Sequence, residues 1–299
     1  IFGLVVILSQ SPEDCQRQIL FLVIGLVFFV VFSFISFNTA SRLSLGILFL
    51  LYILLLLNLL LGKSTRGAVR WIDLGVFTFQ PSEIVKPFLA LATSFILGSG
   101  FSIKRFVVAL SVAAPAFALT FLQPDLGTTL VLLVIFGACV LMSGIKPAVT
   151  LIFAAFGAIT SVLTYLYGLK DYQRDRLHSF TNPLSDPLGS GYNVLQSKIA
   201  IGSGRLSGKG FGQGSQSRLS FLPEGKTDFI FATLGEEWGF LGSSLIIMLF
   251  FLSTLGVLRL ASKVGGAAKL FCFCVWASLV FQVFVNIGMN LGIMPVTGI

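Results

Sequence analysis

Long apolar runs, separated by short polar connections, extend along almost the entire chain. Several of them approach the roughly 20 residues that an α-helix needs to cross a hydrocarbon core about 30 Å thick. We therefore predict an all-α fold, a polytopic membrane helix bundle with eight nearly complete spans and the end of a ninth. The predicted spans are residues 1–9, 18–37, 44–61, 84–98, 106–123, 126–143, 147–167, 229–258 and 269–290.

Two polar segments, 62–83 and 168–228, are much longer than the other connections. Four predicted spans separate them, and because that number is even, both segments lie on the same side of the membrane. The loops on the opposite side carry Lys and Arg but no Asp or Glu. Since short basic loops favour the cytoplasm, we expect 62–83 and 168–228 to be extracytoplasmic loops.

Composition agrees with this pattern and excludes a soluble domain. Hydrophobic residues make up 56% of the chain and charged residues 11%, with a mean hydropathy of +0.96. The chain begins inside an apolar run without Met and ends on "MPVTGI". We therefore expect 1–299 to be a fragment, truncated at both ends, of a single integral membrane domain.

Basic residues are concentrated in the longer polar segment. Such cations beside a membrane suit an anionic ligand, above all a phosphate. An alternative with equal weight is that they extend to lipid headgroups. With one His and four Cys at no ligand spacing, we expect no metal site built from protein groups alone. The basic residues are Lys170, Arg174, Arg176, Lys198, Arg205, Lys209, Arg218 and Lys226.

Within this segment, "GSGRLSGKGFGQGSQS" (202–217) resembles a phosphate-binding loop at first sight. The phosphate-loop template fails, however, because Ser203 and Gly210 stand where it requires Gly and Ser or Thr. The dinucleotide pattern fails because Ser207 replaces its third Gly. A nucleotide-binding loop is therefore excluded, and a flexible linker remains one interpretation.

The stretch "LPEGKTDFIFATLGEEWGFLG" (222–242) places Asp228 directly before an apolar helix. There Asp228 or Thr227 could cap the helix, since carboxylates and hydroxyls accept from first-turn N–H groups. A carboxylate at the membrane boundary is also well placed to act as a general base toward a sugar hydroxyl. Deeper in the helix, Glu236 and Glu237 are expected to be packing or relay groups.

Three further polar groups accompany the first long loop. Glu83 and Lys86 are three residues apart, so they share a helix face and can pair. Arg70 and Trp71 precede them as an amphipathic couple, for which an interfacial anchor is the plainer interpretation. Asp125, in "QPDLGT", is expected to cap the next span.

Taken in order, these motifs resemble the SEDS family, the shape, elongation, division and sporulation membrane proteins. The resemblance covers nearly the whole chain, and its glycine-rich motif is closer to the rod-shape branch than to the division branch. The motifs that carry it are "GAVRWIDLG", "FQPSEIVK", "QPDLGT", "YQRDRL", "DPLGSGYNVLQSKIAIGSG", "GKGFGQGSQSRLSFLPEGKTDFIFATLGEEWGFLG" and "NIGMNLGIMPVTGI".

The resemblance implies ten transmembrane helices, of which about nine are represented here, in the bacterial cytoplasmic membrane. It implies a peptidoglycan glycosyltransferase that polymerises lipid II during cell-wall elongation, with a class B penicillin-binding protein as partner and no nucleic acid. Asp228 matches the family's essential acid, Trp71 its loop tryptophan, and Glu83 and Lys86 its "PSE..K" positions.

The resemblance also suggests a ligand for the basic residues. The residues expected to bind the substrate are Trp71, Arg70, Glu83, Lys86, Arg205, Lys209, Arg218 and Lys226. The basic ones, with Mg²⁺ or Mn²⁺, would offset charge on a lipid-linked diphosphate. Two alternatives stay open. A lipid II flippase would need a polar path across the membrane, whereas the charged groups concentrate near one face. A non-catalytic scaffold would recruit the penicillin-binding protein without making glycan.

Overall fold

A computed structural model of the chain describes residues 2–61, 71–73, 78–168, 174, 180, 190–219, 221–222 and 224–297. Most of these residues are helical. The helices are α1 Phe2–Gln10, α2 Pro12–Ser33, α3 Phe37–Leu61, α4 Pro81–Leu97, α5 Ile103–Leu122, α6 Leu126–Met142, α7 Pro147–Leu163, α8 Ser190–Ser203, α9 Ser215–Arg218, α10 Ile230–Lys263 and α11 Gly266–Leu291.

Apart from α8 and α9, the described helices overlap the predicted spans, and the all-α membrane fold class is confirmed. Helices α2, α3, α5, α10 and α11 are each long and apolar enough to cross a membrane. Helix α6 is apolar but shorter, and α7 continues into a π-helical turn, Thr164–Gly168. Helix α2 begins at Pro12 rather than at residue 18, because Ser11 accepts a hydrogen bond from the N–H of Asp14 and caps the helix. Helix α3 begins at Phe37 rather than at residue 44.

The two long polar segments contain structure that hydropathy does not reveal. In the first, β1 Ile72–Asp73 pairs antiparallel with β2 Thr78–Phe79. In the second, α8 buries a face that includes Val194, Ser197 and Ala200, at a spacing of three. Because this face contains Gly and Ser beside small apolar residues, its hydropathy is low although its periodicity is helical.

The chain folds into two compact units. Unit 1 comprises Ile1–Phe34, Ile159–Leu252 and Val283–Ile299, and unit 2 comprises Ile35–Ala158 and Ser253–Gln282. Helices α10 and α11 each contribute residues to both units. The single integral membrane domain therefore stays a prediction, as does the extracytoplasmic side of 62–83 and 168–228.

In unit 2, helices approach closely through small buried residues. Helix α5 buries Ala109, Ala113 and Ala116 along one face, at spacings of four and three. Small side chains allow neighbouring backbones to pack closely in a membrane, where apolar burial gives no driving force of its own. Polar side chains add tertiary bonds, such as the donation from Gln123 Nε2 to the Leu55 carbonyl at 2.8 Å.

In unit 1, a small apolar cluster packs around Phe229, the residue that directly precedes α10. Phe229 is buried against Ala200 of α8, Leu222 and Ala232, with Val296 packed beside them. This cluster fixes the chain next to residue 228 by packing on three separate segments.

Candidate functional site

Helix α10 is broken inside its apolar length, and the glycine-rich segment fills the break. Gly239 has φ 63° and ψ −160°, which are not helical angles. In an unbroken helix the N–H groups of Phe240 and Leu241 would donate four residues back, to the carbonyls of Glu236 and Glu237. At Gly239 that ladder is interrupted, and an interrupted backbone inside a membrane needs other partners.

Residues 205–210 supply those partners. The N–H of Phe240 donates to the Arg205 carbonyl at 2.9 Å, and the N–H of Leu241 donates to the Leu206 carbonyl at 3.1 Å. In return, the carbonyls of Glu236 and Glu237 accept from the N–H groups of residues 209 and 210, both at 3.0 Å. The segment therefore replaces two helical hydrogen bonds with four tertiary ones, and the helix axis changes without leaving these groups unpaired.

The close approach explains why glycine is needed at particular positions. A Cβ at Gly204 would lie against the carbonyl oxygen of Gly235, and one at Gly208 against that of Glu237. Gly208 also has φ +82°, a left-handed conformation that glycine adopts without steric cost. The glycines of this segment therefore permit backbone to pack on backbone.

A buried carboxylate fastens the same segment from inside α10. Glu236 is fully buried and receives Lys209 Nζ at 2.7 Å. Its oxygens also accept from the backbone N–H groups of Gln216 and Ser217, at 3.0 and 3.1 Å, and from the hydroxyls of Ser215 and Ser217. Five donors on one carboxylate compensate the cost of burying its charge, and they give Glu236 the packing role expected for it.

Asp228 lies in a run of turns between the glycine-rich segment and α10. The carbonyl of Glu224 accepts from the N–H groups of Thr227 and Phe229, at 3.2 and 3.0 Å. Gln10, from α1, donates to the Gly225 carbonyl at 3.3 Å. The carboxyl-bearing residue is half-buried, between exposed Thr227 and buried Phe229. These hydrogen bonds hold the turn that carries Asp228 two residues before α10 begins at Ile230.

The basic residues predicted near Asp228 occupy different environments. Lys226 is exposed and pairs with Asp14 of α2 at 3.0 Å. Arg205 and Arg218 are also exposed, the latter at the end of α9. The ammonium of Lys209 is engaged by Glu236, and its backbone N–H by α10, so Lys209 already has protein partners. Substrate binding by these four residues stays a prediction.

Unit 2 contains the second group of predicted residues, at the start of α4. Lys86 is buried and donates to both carboxylate oxygens of Glu83, at 2.7 and 2.8 Å. The helix begins at Pro81, and the Gln80 side chain preceding it donates to Ser82 at 3.1 Å and to Asp125 at 3.0 Å. The predicted pairing of Glu83 and Lys86 is confirmed.

Asp125 connects this group to the next helix. Its Oδ1 accepts from the N–H of Thr128 at 3.2 Å and caps α6, as predicted. Its Oδ2 accepts from Gln80, so one buried carboxylate ties the start of α4 to the start of α6. Trp71 is 46% exposed beside β1, while Arg70 lies outside the described residues. The substrate contacts of Trp71, Arg70, Glu83 and Lys86 stay predictions.

Over the described part of the chain, no three His, Cys, Asp or Glu side chains come together as metal ligands. Sequence reasoning missed Asn290 of unit 1, whose side chain bonds the Asp228 turn, as does that of Gln10. The signal was a polar residue in the apolar end of the last predicted span, where such groups are expensive and usually have a partner.

Comparison with known proteins identifies the family. The family model described as cell cycle protein, covering FtsW, RodA and SpoVE, matches residues 2–299. The chain belongs to this family. The peptidoglycan glycosyltransferase MrdB of Escherichia coli K12 is 37% identical over 311 residues, which cover all of this chain and 83% of MrdB. The resemblance inferred from the motifs is confirmed.

Solved structures of family members share the fold. A peptidoglycan synthase complex, studied for its coordination of polymerization and crosslinking, contains a chain with a TM-score of 0.83 and 29% identity, over 100% of this chain and 85% of that one. The Thermus thermophilus rod shape determining protein RodA gives a TM-score of 0.72 at 28% identity, over 99% of this chain and 82% of RodA. The chain is therefore a membrane protein of the FtsW/RodA/SpoVE type.

Proposed function

We propose that this protein is a peptidoglycan glycosyltransferase that polymerises lipid II during cell-wall elongation, with Asp228 as general base. The observation that carries the proposal is the placement of Asp228, a half-buried acid in an anchored turn before an apolar helix. The family supports the reaction class, since MrdB is a peptidoglycan glycosyltransferase by name. A base fixed in position contributes on the order of 10²- to 10⁴-fold to a proton-transfer step.

In the proposed reaction, the 4-hydroxyl of the acceptor sugar attacks the anomeric carbon of the lipid-linked donor. The new glycosidic C–O bond forms as the bond from that carbon to the diphosphate oxygen breaks, with inversion. The hydroxyl proton passes to Asp228, and undecaprenyl pyrophosphate leaves. Arg205, Arg218 and Lys226, which are exposed, would stabilise the charge that develops on the leaving diphosphate.

We propose a divalent cation, Mg²⁺ or Mn²⁺, only as an ion bound to the substrate diphosphate. The described residues include no group of acids and histidines able to hold it by themselves. Such an ion would supply further neutralisation of the leaving group. Removal of divalent ions with a chelator is then expected to slow polymerisation without lowering the melting temperature of the protein.

The partner and the membrane are also proposed. A class B penicillin-binding protein would crosslink the glycan strands, and a solved complex that contains a related chain coordinates polymerization and crosslinking. We place the protein in the bacterial cytoplasmic membrane, with 62–83 and 168–228 outside the cytoplasm, because the opposite loops are basic and lack acids.

Substitution of Asp228 tests the proposed base directly. Asp228→Ala and Asp228→Asn, purified with the penicillin-binding protein, are expected to lower lipid II polymerisation at least about 100-fold, because neither side chain can accept the proton at neutral pH. Glycan strands are measured by gel separation. Glu13→Gln is the matched control, since it removes an exposed acid of the same unit and is expected to retain wild-type rates.

Wild-type rates in both Asp228 variants would exclude Asp228 as the base. The alternatives make different forecasts for the wild-type protein. A flippase would move lipid II across vesicles and make no strands, and a scaffold would bind the penicillin-binding protein and make none.

A further inference from the structure

The side chain of Asn290 bonds both sides of the turn that carries Asp228. Asn290 lies in the last turn of α11 and is 1% exposed. Its Nδ2 donates to the Asp228 carbonyl at 2.9 Å, and its Oδ1 accepts from the N–H of Ala232 at 3.0 Å. One amide therefore spans the junction between the Asp228 turn and the first turn of α10.

The hydrogen-bond pattern fixes the orientation of this amide. The carbonyls of Asp228 and Asn286 both require a donor, and Nδ2 serves both, at 2.9 and 2.7 Å. The N–H of Ala232 requires an acceptor, which is Oδ1. An amide turned by 180° would lose these bonds, so the side chain has one acceptable arrangement.

The backbone of Asn290 is held as firmly as its side chain. Ser197 Oγ, from α8, donates to the Asn290 carbonyl at 2.6 Å. Helix α11 ends at the next residue, Leu291, and Gly292 closes it, with a φ of +69° and an N–H that donates to the Met289 carbonyl. Asn290 thus connects α8 and α11 to the backbone of Asp228 through hydrogen bonds.

We infer that Asn290 is a positioning residue for the glycosyl transfer, acting through the backbone of Asp228. This inference rests on the proposed function, in which Asp228 accepts the proton. Without the bond from Nδ2, the Asp228 carbonyl would lose a fixed donor, and the carboxyl group would sample other positions. A displacement of about 1 Å at a reacting group lowers a rate by up to about 100-fold.

Two substitutions distinguish the contribution of the Asn290 donor, Nδ2, from that of its acceptor, Oδ1. Asn290→Leu removes both groups at similar size. Asn290→Asp retains an oxygen for the Ala232 N–H but cannot donate to Asp228 when ionised. Asn58→Leu is the matched control, because Asn58 of α3 is equally buried and its amide atoms have no hydrogen-bond partner among the described residues.

The experiment measures kcat and KM for lipid II with the full protein and its penicillin-binding partner, together with melting temperature. We expect kcat to fall at least about tenfold in both Asn290 variants. KM should change less than about threefold, since substrate binding does not require the base to be aligned. Asn58→Leu should stay within about twofold of wild type in both constants, because it removes no hydrogen bond to any described residue.

If Asn290→Leu does not fold, the Asp variant decides, because it keeps the helix-start bond. The inference is overturned if kcat of a folded Asn290 variant stays within twofold of wild type, or if kcat falls only together with a matching rise in KM. Asp228→Ala is measured in parallel. An active Asp228→Ala protein refutes the proposed function, whereas an inactive one beside fully active Asn290 variants refutes the positioning role alone.

Discussion

Two lysine–glutamate pairs in this protein have the same N–O distance of 2.7 Å and opposite burial. In unit 1, Glu236 is fully buried while Lys209 is 29% exposed. In unit 2, Lys86 is 9% exposed while Glu83 is 51% exposed. The first pair joins residues 27 positions apart, and the second joins residues on adjacent turns of one helix.

The difference lies in what else holds the buried charge. Glu236 has four further donors, so Lys209 is one of several groups that stabilise its carboxylate. Among the described residues, the ammonium group of Lys86 donates hydrogen bonds to Glu83 alone, through its two carboxylate oxygens. The first pair is therefore part of a hydrogen-bond network that holds residues 209–217 against α10. The second is a local pair, in which a buried cation depends on one half-exposed acid.

The largest loss of stability is expected from a change that prevents the glycine-rich segment from packing against α10. Gly204→Ala puts a methyl group against the Gly235 carbonyl, and neither backbone can move aside as a side chain could. We expect destabilisation at or above the upper end of the about 1–3 kcal/mol that overpacking costs. Thermal unfolding in detergent measures it.

The control for this change lies two residues earlier. Gly202, in α8, has nothing within 4 Å of an added Cβ. Gly202→Ala should therefore leave stability unchanged or raise it by up to about 1 kcal/mol, because Ala favours the helix. Equal losses in both variants would show that the glycine-rich segment does not pack on α10 as described.

Removal of the buried carboxylate is expected to have the next largest effect. Glu236→Ala leaves the backbone N–H groups of Gln216 and Ser217 without their acceptor, at about 1–3 kcal/mol for each that stays buried. Lys209→Met removes only one of five donors and should cost about 1 kcal/mol or less. If melting temperatures fell equally in both variants, Glu236 would be acting through its lysine alone.

A smaller effect on stability is expected in unit 2. Glu83→Ala leaves the Lys86 ammonium without its carboxylate, which in a fully buried pair costs about 3–5 kcal/mol. Because Glu83 is half exposed, water can replace part of that interaction, and we expect about 1–2 kcal/mol. The double variant Glu83→Ala/Lys86→Met should recover most of the melting temperature, since it removes the charge as well. A double variant no more stable than Glu83→Ala would contradict this account.

Several features follow from local pattern alone. Apolar runs of membrane-spanning length predict the helices, because a helix satisfies the backbone hydrogen bonds of a lipid-exposed segment within the segment itself. The pairing of Glu83 with Lys86 and the capping by Asp125 also follow from spacings of three residues. The motifs themselves were sufficient to indicate the family.

Tertiary contacts decided the rest. The sequence marks 202–217 as glycine-rich and excludes a nucleotide loop, but it does not place residues 205–210 in the break at Gly239. Nor does it pair Lys226 with Asp14, 212 positions away, or connect Asn290 to Asp228, 62 positions away. Periodicity reports on neighbours within one helix, whereas these bonds join segments distant in the chain, whose meeting depends on how the helices pack.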